Sequence, residues 1–313
     1  MARNVSCRAV ISIVIPVKDG GSALARCLAA IADQQIDEEV EVVIIDSGSR
    51  DASLELARQH NARVQEILPA DFTHGASRNI GAEVARGELL VFISQDAYPV
   101  DEHWLERLTA PLREQADVGG VYGRQLPQLG ARPPEVYFLD FLYGPQARTQ
   151  RASSVAELSM ETTLFSNVNA AMARTLWERF PFARDIIMSE DQDWSRRVLL
   201  AGYSIIYEPS AAVRHSHEYT LRSALRRFFD SGASAERAYL AGAAPSRRIL
   251  RAAAWRYARG ELSWLGRTGQ RRWIPYTIAY EGVKLLGLTL GANHRRLPLA
   301  LKRRLSALPG FWT

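Results

Sequence analysis

Three short polar segments stand out by residue type and spacing: Pro16-Val17-Lys18-Asp19-Gly20, Asp46-Ser47-Gly48-Ser49-Arg50-Asp51 and Ser94-Gln95-Asp96-Ala97. Each directly follows a run of apolar residues. An acidic residue in such a place commonly does no more than cap the next helix. Acidic residues after separate runs, with glycines that let a ligand approach the backbone, point instead to a shared ligand site. The chain has no GxGxxG and no GxxxxGK[ST] run, which weighs against a dinucleotide-binding domain and a P-loop nucleotidase.

The elements that must position these segments alternate in type. Ile11–Val17, Val40–Ile45, Arg63–Ile67 and Leu89–Ser94 read as strands. Ser22–Ala32, Asp51–Gln59 and Arg78–Ala85 between them have helical character. Continuous apolar strands alternating with helices predict a mostly parallel sheet covered on both faces. In such sheets ligands bind at the carboxyl ends of the strands, where all three segments fall. Trp104–Glu114 reads as a helix and Val118–Tyr122 as a strand, and residues 124–161 read as irregular. Beyond Ser166 the pattern resumes with Asn167–Ala173, a helix through Trp177 to Phe180, a strong helix over Asp191–Ala201 and a short strand over Tyr203–Glu208. From Thr220 onward mostly helices are expected, broken near Pro245, Gly266–Gly269 and Pro275.

Taken in order, these residues resemble the family 2 glycosyltransferases, inverting enzymes of the GT-A fold that use nucleotide sugars. The resemblance spans roughly residues 10–218. Val10-Ile11-Ser12-Ile13-Val14-Ile15-Pro16 is similar to their first strand, Asp46-Ser47-Gly48-Ser49-Arg50-Asp51 to their D-[DS]-G-S-x-D segment, and Glu190-Asp191 with Trp194 and Arg197 to their E-D segment. Phe72-Thr73-His74-Gly75-Ala76-Ser77-Arg78-Asn79, Ser94-Gln95-Asp96-Ala97 and Val213-Arg214-His215-Ser216-His217 are similar to runs of bacterial rhamnosyltransferases. That narrower likeness implies dTDP-β-L-rhamnose as donor and a saccharide or polyprenyl-diphosphate-linked acceptor in cell-surface polysaccharide synthesis, O-antigen among them. The fold it implies is a Rossmann-like GT-A domain over residues 1–218 with a helical C-terminal extension over residues 219–313.

The resemblance also implies roles. Asp46 accepts the N3–H of a pyrimidine base, with Pro16, Lys18, Asp19, Ser47 and Gln95 around the same nucleotide. Arg78 forks onto a base carbonyl or a phosphate, and His74 orders its loop. Asp191 takes the acceptor's proton, Glu190 orients acceptor or loop, and the helix end beneath Asp191 favours its ionised form. Ser189 is a rival for the cap of that helix, and Asp193, two residues on, faces elsewhere. Asn167 and Asn169 are candidates for sugar hydroxyls or turns, and Trp194 for an apolar wall or a core position. The aromatic run Tyr137–Tyr143 is an acceptor platform or simple packing. A divalent cation, Mg²⁺ or Mn²⁺, is expected on Asp96 with His215, or His217 as its substitute, the alternative being that both are ordinary loop histidines; Ser94-Gln95-Asp96 lacks the first carboxylate of the usual D-x-D.

Charge divides the chain in two. Residues 1–219 hold 21 Lys+Arg and 30 Asp+Glu, whereas residues 220–313 hold 18 and 4. In the basic part arginines interleave with Trp, Phe and Leu, as in Arg226-Arg227-Phe228-Phe229, Arg247-Arg248-Ile249-Leu250-Arg251 and Arg271-Arg272-Trp273. That composition suits an anionic membrane surface; a solvated face or a homodimer interface explains it as well. No nucleic-acid motif accompanies the charge. No stretch reaches about 18 uninterrupted apolar residues, so no spanning helix is expected. The apolar run near Met1 reads as a buried strand rather than a secretory signal. With two cysteines, Cys7 and Cys27, a reducing compartment is the simple expectation, and the whole reads as a cytoplasmic protein held at the inner face of the membrane. Three rivals remain: a family 2 enzyme with another donor such as a UDP-hexose, a nucleotidyltransferase on a related sheet, and a binding scaffold without catalysis.

Overall fold

The computed structural model describes residues 10–240 and 247–313, with side chains for residues 10–238 and 254–313. Cys7, Pro245 and the side chains of Arg247-Arg248-Ile249-Leu250-Arg251 lie outside what is described. Its first half runs β1 (Val10–Val17), α1 (Gly21–Ala32), β2 (Glu39–Asp46), α2 (Ser53–Gln59), β3 (Arg63–Glu66), α3 (His74–Val84), β4 (Leu89–Ile93), β5 (Tyr98–Pro99), α4 (Trp104–Glu114) and β6 (Val118–Leu126). There follow α5 (Pro133–Leu142), β7 (Arg148–Gln150), β8 (Asn169–Ala173), α6 (Arg174–Arg179), α7 (Glu190–Leu200) and β9 (Ser204–Arg214). The remainder is helical: α8 (Leu221–Ala235), α9 (Arg247–Arg267), α10 (Ile274–Ala292) and α11 (Leu299–Leu305).

The strands form one sheet in the order β3-β2-β1-β4-β8-β6-β9-β5, with β7 paired to β9. Strands β3, β2, β1 and β4 are parallel, as expected. Strand β8 runs antiparallel to both β4 and β6, so the sheet is mixed at its centre. The apolar runs are continuous because both faces are covered. Val14, Val43, Ile45 and Phe92 enter one core with Tyr122 and Trp194, while Ile13, Ile15, Ile44 and Val91 enter the other with Trp104. Alternate residues of one strand thus serve opposite layers.

Three expectations shift. Helix α3 starts at His74 rather than Arg78, because Thr73 caps it by accepting from the Ala76 amide at 3.0 Å. The stretch 124–161, expected to be irregular, contains α5 and β7. Strand β9 continues past Glu208-Pro209-Ser210 to Arg214: its register against β6 shifts between the Gly123–Glu208 and Gln125–Val213 pairs, and residues 209–212 bulge out. A bulge absorbs a proline that would break a regular ladder.

The C-terminal helices pack on this body. Helices α8 and α10 approach to backbone contact, since a Cβ on Gly291 would overlap the Phe229 carbonyl and one on Gly287 the Leu225 carbonyl. Phe229 and Trp312 share a small core with Ile187 and Met188. The break at Gly269 (φ +74°) and the start of α10 at Ile274-Pro275 fall where expected. No helix among the described residues is long and apolar enough to cross a membrane.

Candidate active site

The loops after β1 and β2 are sewn together by their own polar side chains. Ser49 Oγ accepts from the Asp19 amide at 2.8 Å, Asp19 Oδ1 from the Arg50 amide at 2.8 Å, and Ser53 Oγ from the Gly20 amide at 2.8 Å. Gln95, after β4, clips the same loop: its Oε1 accepts from Lys18 N at 2.9 Å and its Nε2 donates to Lys18 O at 3.1 Å. Lys18 Nζ donates to Ser47 O at 3.2 Å, and the Ser47 amide to Val17 O at 3.0 Å. Pro16 lies within β1 opposite Ile45 and takes no part in these side-chain bonds, whereas Lys18, Asp19, Ser47 and Gln95 are tied by them into one bonded group. Asp19 takes a left-handed φ of 47° there, an uncommon conformation for a non-glycine residue that is held by these bonds.

Asp46 ends β2 almost fully buried. Its Oδ2 accepts from the Gly48 and Ser49 amides at 2.9 and 3.0 Å, whereas its Oδ1 is buried with no partner. An unsatisfied buried carboxylate oxygen is costly unless something supplies a donor.

A second group forms where β4 meets β8. Glu190 and Asp191 open α7, behind Ser189, which takes a left-handed φ of 63° and makes no side-chain cap. Arg78 reaches across from α3, and its Nη1 donates to Glu190 Oε1 at 2.8 Å with both side chains buried. Its Nη1 also donates to His74 O at 3.2 Å. Asn167 holds both acids: its Nδ2 donates to Glu190 Oε1 and its amide to Asp191 Oδ2, each at 3.2 Å. Burial pushes the Glu190 carboxyl up, but the Arg78 charge, helped by the Asn167 hydrogen bond, outweighs it, so its pKa lies below the usual range. For Asp191, burial and then the neighbouring Glu190 charge win over Arg78 and push the pKa up to about 7. Burial and the Glu190 charge thus outweigh the helix end beneath Asp191, which by itself favours the ionised form. Burial likewise pushes the His74 ring down to about 4, so it is neutral near pH 7.

The third group is Asp96, His215 and His217, whose ligand atoms all lie within 4.8 Å of one another. His215 Nε2 is 3.6 Å from Asp96 Oδ1, and His217 Nδ1 is 3.6 Å from Asp96 Oδ2. His215 Nδ1 meets Gln125 Oε1 at 2.9 Å, and Gln125 Nε2 donates to Ser166 Oγ at 3.0 Å. Since Gln125 Oε1 only accepts, it fixes the proton on His215 Nδ1 and leaves Nε2 as a lone pair facing Asp96. Burial lowers the pKa of His215 to about 4 and also lowers that of His217. Two neutral imidazoles and a carboxylate fit a divalent cation.

Other candidates fall outside the crevice. Trp194 is completely buried against Phe165 and Phe182, at centroid distances of 4.9 and 6.2 Å. It is a core residue and no sugar wall. Asn169 is fully buried, accepts from Trp104 Nε1 at 2.9 Å and donates to Ala211 O at 2.8 Å. It anchors β8 and has nothing to offer a sugar hydroxyl. Asp193 is taken up by Arg196 and Arg197, at 3.0 Å each. Tyr137 and Phe141 pack on Tyr257, and Tyr137 also on Trp264, joining α5 to α9.

Two residues were missed. Gln125 lay in a stretch without recognisable pattern. The sequence groups Arg227 with the membrane-facing arginines, yet its Nη1 donates to Ser231 Oγ at 3.2 Å and its charge contributes to lowering His74, His215 and His217.

Acids and ligating groups gathered where a parallel half-sheet meets an antiparallel strand follow the plan of the GT-A glycosyltransferases. The profile of Glycosyl transferase family 2 matches residues 12–175, and the chain belongs to that family; it is a glycosyltransferase. It is 30% identical over 308 residues to the O-antigen chain rhamnosyltransferase RfbN of Salmonella typhimurium, covering 96% of each chain. To the O-antigen chain rhamnosyltransferase WbaN of Salmonella anatum it is 29% identical, covering 96% of this chain and 95% of that one. Among solved structures, a mannosyltransferase from Pyrobaculum calidifontis in complex with GDP-Man and Mn²⁺ matches in fold. Its TM-score is 0.61 at 18% identity, with 93% of this chain and 89% of that chain covered.

Proposed function

We propose that this chain transfers L-rhamnose from dTDP-β-L-rhamnose to a hydroxyl of a saccharide or polyprenyl-diphosphate-linked acceptor, inverting the anomeric carbon. The observation that carries the mechanism is Asp191, a carboxylate held by the Asn167 amide with its pKa pushed up to about 7. A base with such a pKa is ionised enough to accept a proton and basic enough to hold it near neutral pH. The acceptor oxygen attacks the anomeric carbon, and its proton passes to Asp191. The bond from that carbon to the diphosphate oxygen breaks, and dTDP leaves with the electron pair. Glu190 and Arg78 stay fixed as an ion pair that sets the field around Asp191.

The unpartnered Oδ1 of Asp46 suits the N3–H of a thymine or uracil ring. The bonded group of Lys18, Asp19, Ser47 and Gln95 frames the rest of the nucleotide. Asp96, His215 and His217 would hold the divalent cation, whose charge offsets that of the departing diphosphate. Two imidazole donors favour Mn²⁺ over Mg²⁺, which prefers oxygen. Rhamnose as donor sugar rests on the motif around His74 and Arg78 and on the names of the relatives.

Residues 219–313 serve as the docking region at the inner face of the cell membrane. Ile278, Leu285 and Leu286 share one exposed face of α10, Trp255 is exposed on α9, and Arg271, Arg272, Arg295 and Arg296 flank them in solvent. That combination suits an anionic lipid surface. Calorimetric titration with dTDP-rhamnose, dTDP and UDP-sugars, with and without Mn²⁺, tests the donor. Binding of dTDP-rhamnose is expected, and binding of UDP-sugars alone refutes the assignment.

A further inference from the structure

A cleft opens between the start of α5, the segment after β9 and the first turns of α10, lined by Arg132, Glu135, His217, Tyr219, Tyr276 and Tyr280. Direct contacts set its place beside the Asp96–His215–His217 cluster. His217, whose Nδ1 is 3.6 Å from Asp96 Oδ2, is itself part of the lining, and its ring lies 5.2 Å from that of Tyr219. The loop before α5 is tied to the same cluster through Gln128, whose amide donates to Ser216 Oγ at 3.0 Å and whose Nε2 donates to Asp96 O at 3.4 Å. On the far side the Tyr276 hydroxyl donates to Tyr219 O at 3.2 Å and accepts from Arg132 Nη1 at 3.1 Å. The Arg132 guanidinium lies over the Tyr276 ring, 5.6 Å from its centre, and Glu218 Oε2 is 3.8 Å from Arg132 Nη2. The interior of the cleft offers about 10 Å³, no more than one water needs, so a larger ligand rests across its mouth. Arg132 and Glu218 stand at that mouth with 37% and 61% of their side chains exposed.

We propose that this mouth is the saccharide subsite of the acceptor, where Arg132 and Glu218 hydrogen-bond the hydroxyls of a neutral sugar ring. The assignment rests on the donor reading above. Sheet order supports the position. Asp46 ends β2, Asp96 follows β4, and the cleft lies further along the same order, beyond β6 and β9. A donor with its base at Asp46 and its diphosphate at Asp96 extends in that direction, and the acceptor meets its sugar from the opposite end. Charge decides the class of ligand. The cleft and its mouth carry two carboxylates, Glu135 and Glu218, against one guanidinium, which disfavours a diphosphate and suits an uncharged polyol. A carboxylate accepts from sugar hydroxyls, and a guanidinium donates to neighbouring sugar oxygens. The pair of Arg132 and Glu218 is wide and solvent-exposed, so parting it for a sugar costs little. Tyr276 is a positioning residue, since its hydroxyl and ring hold Arg132 in place.

The experiment measures initial rates of transfer from dTDP-rhamnose, with Mn²⁺, to octyl glycosides of galactose, glucose, mannose and rhamnose below their micellar concentrations. Wild type, Arg132→Gln, Glu218→Gln and Tyr276→Phe are compared, with donor hydrolysis in the absence of acceptor, calorimetric titration of dTDP and thermal melts for each. Arg132→Gln and Glu218→Gln are each expected to raise the acceptor KM about 10- to 100-fold, the worth of a hydrogen bond to a charged group, with kcat little changed. Tyr276→Phe, which releases Arg132 without removing it, should raise KM about 3- to 10-fold. Donor hydrolysis, dTDP affinity and melting temperature should stay at wild-type values in all three. An acceptor KM within about twofold of wild type in either Arg132→Gln or Glu218→Gln overturns the subsite. So does a fall in donor hydrolysis or dTDP affinity equal to the fall in transfer, which would put these residues on the donor. A wild type that binds dTDP and hydrolyses dTDP-rhamnose yet transfers to none of the glycosides overturns the neutral-sugar subsite and leaves the donor reading standing. A wild type that does neither overturns the donor reading and the subsite with it.

Discussion

Protonation of Asp191 sets a limb in the pH dependence of transfer. The base works only when ionised, and burial beside Glu190 places its pKa at about 7. Below that value kcat/KM should fall about tenfold per pH unit, to roughly one hundredth of its plateau at pH 5, and it should level off above pH 8. His74 and His215 do not obscure this limb, because burial lowers both to about 4. Glu190→Gln removes the negative charge that helps to raise Asp191 and leaves the Arg78 cation uncompensated beside it. Both changes favour the ionised carboxylate, so the midpoint should move to lower pH, even though the plateau drops as the buried pair is broken. The assay is the initial rate of dTDP release from dTDP-rhamnose with acceptor and saturating Mn²⁺, from pH 5 to 9 at constant ionic strength. The same raised pKa has a consequence for folding. The folded state holds the Asp191 proton more tightly than the unfolded chain, so its contribution to stability is complete below the ordinary carboxylate range and is lost as pH rises through about 7. A rate that is flat between pH 5.5 and 8, or a limb that Glu190→Gln leaves in place, refutes the assignment of Asp191 as base.

Asp191→Asn should lower turnover by about 10²- to 10⁴-fold while leaving donor affinity near wild type, as single-turnover kinetics and calorimetry would show. Gln125→Leu removes the acceptor that fixes the His215 tautomer, and Mn²⁺ affinity measured by electron paramagnetic resonance should weaken about 10- to 100-fold; unchanged affinity would count against Gln125 as a positioning residue. Trp194→Ala should cost about 3–5 kcal/mol in denaturant unfolding without a specific loss of donor binding, because the ring is fully buried in the core. Leu285→Glu with Leu286→Glu should reduce sedimentation with anionic vesicles and leave transfer to a soluble acceptor intact. Equal sedimentation would rule out that face of α10 as the docking surface.

Much of this protein was legible in the sequence because the signals are local. Continuous apolar runs that must be buried on both faces gave β1, β2 and β4, and acids just past them placed the crevice at the carboxyl ends of those strands. Tertiary structure decided what local pattern cannot encode. Glu208-Pro209-Ser210 reads as the end of a strand, but pairing with β6 carries β9 through a bulge to Arg214 and so delivers His215 to Asp96. Trp194 and Asn169 are chemically suited to a ligand, and only their burial shows that they serve the core. The field at Asp191 depends on Arg78, which is more than a hundred positions away in the chain and acts through Glu190. Likewise the composition of residues 220–313 predicts a basic surface but cannot say which arginine faces inward. That depends on how α8 is seated, close against α10 and tied to Met188 through Ser234. A residue's type is a property of the chain, whereas its charge state and its partner depend on what folding brings within a few ångströms.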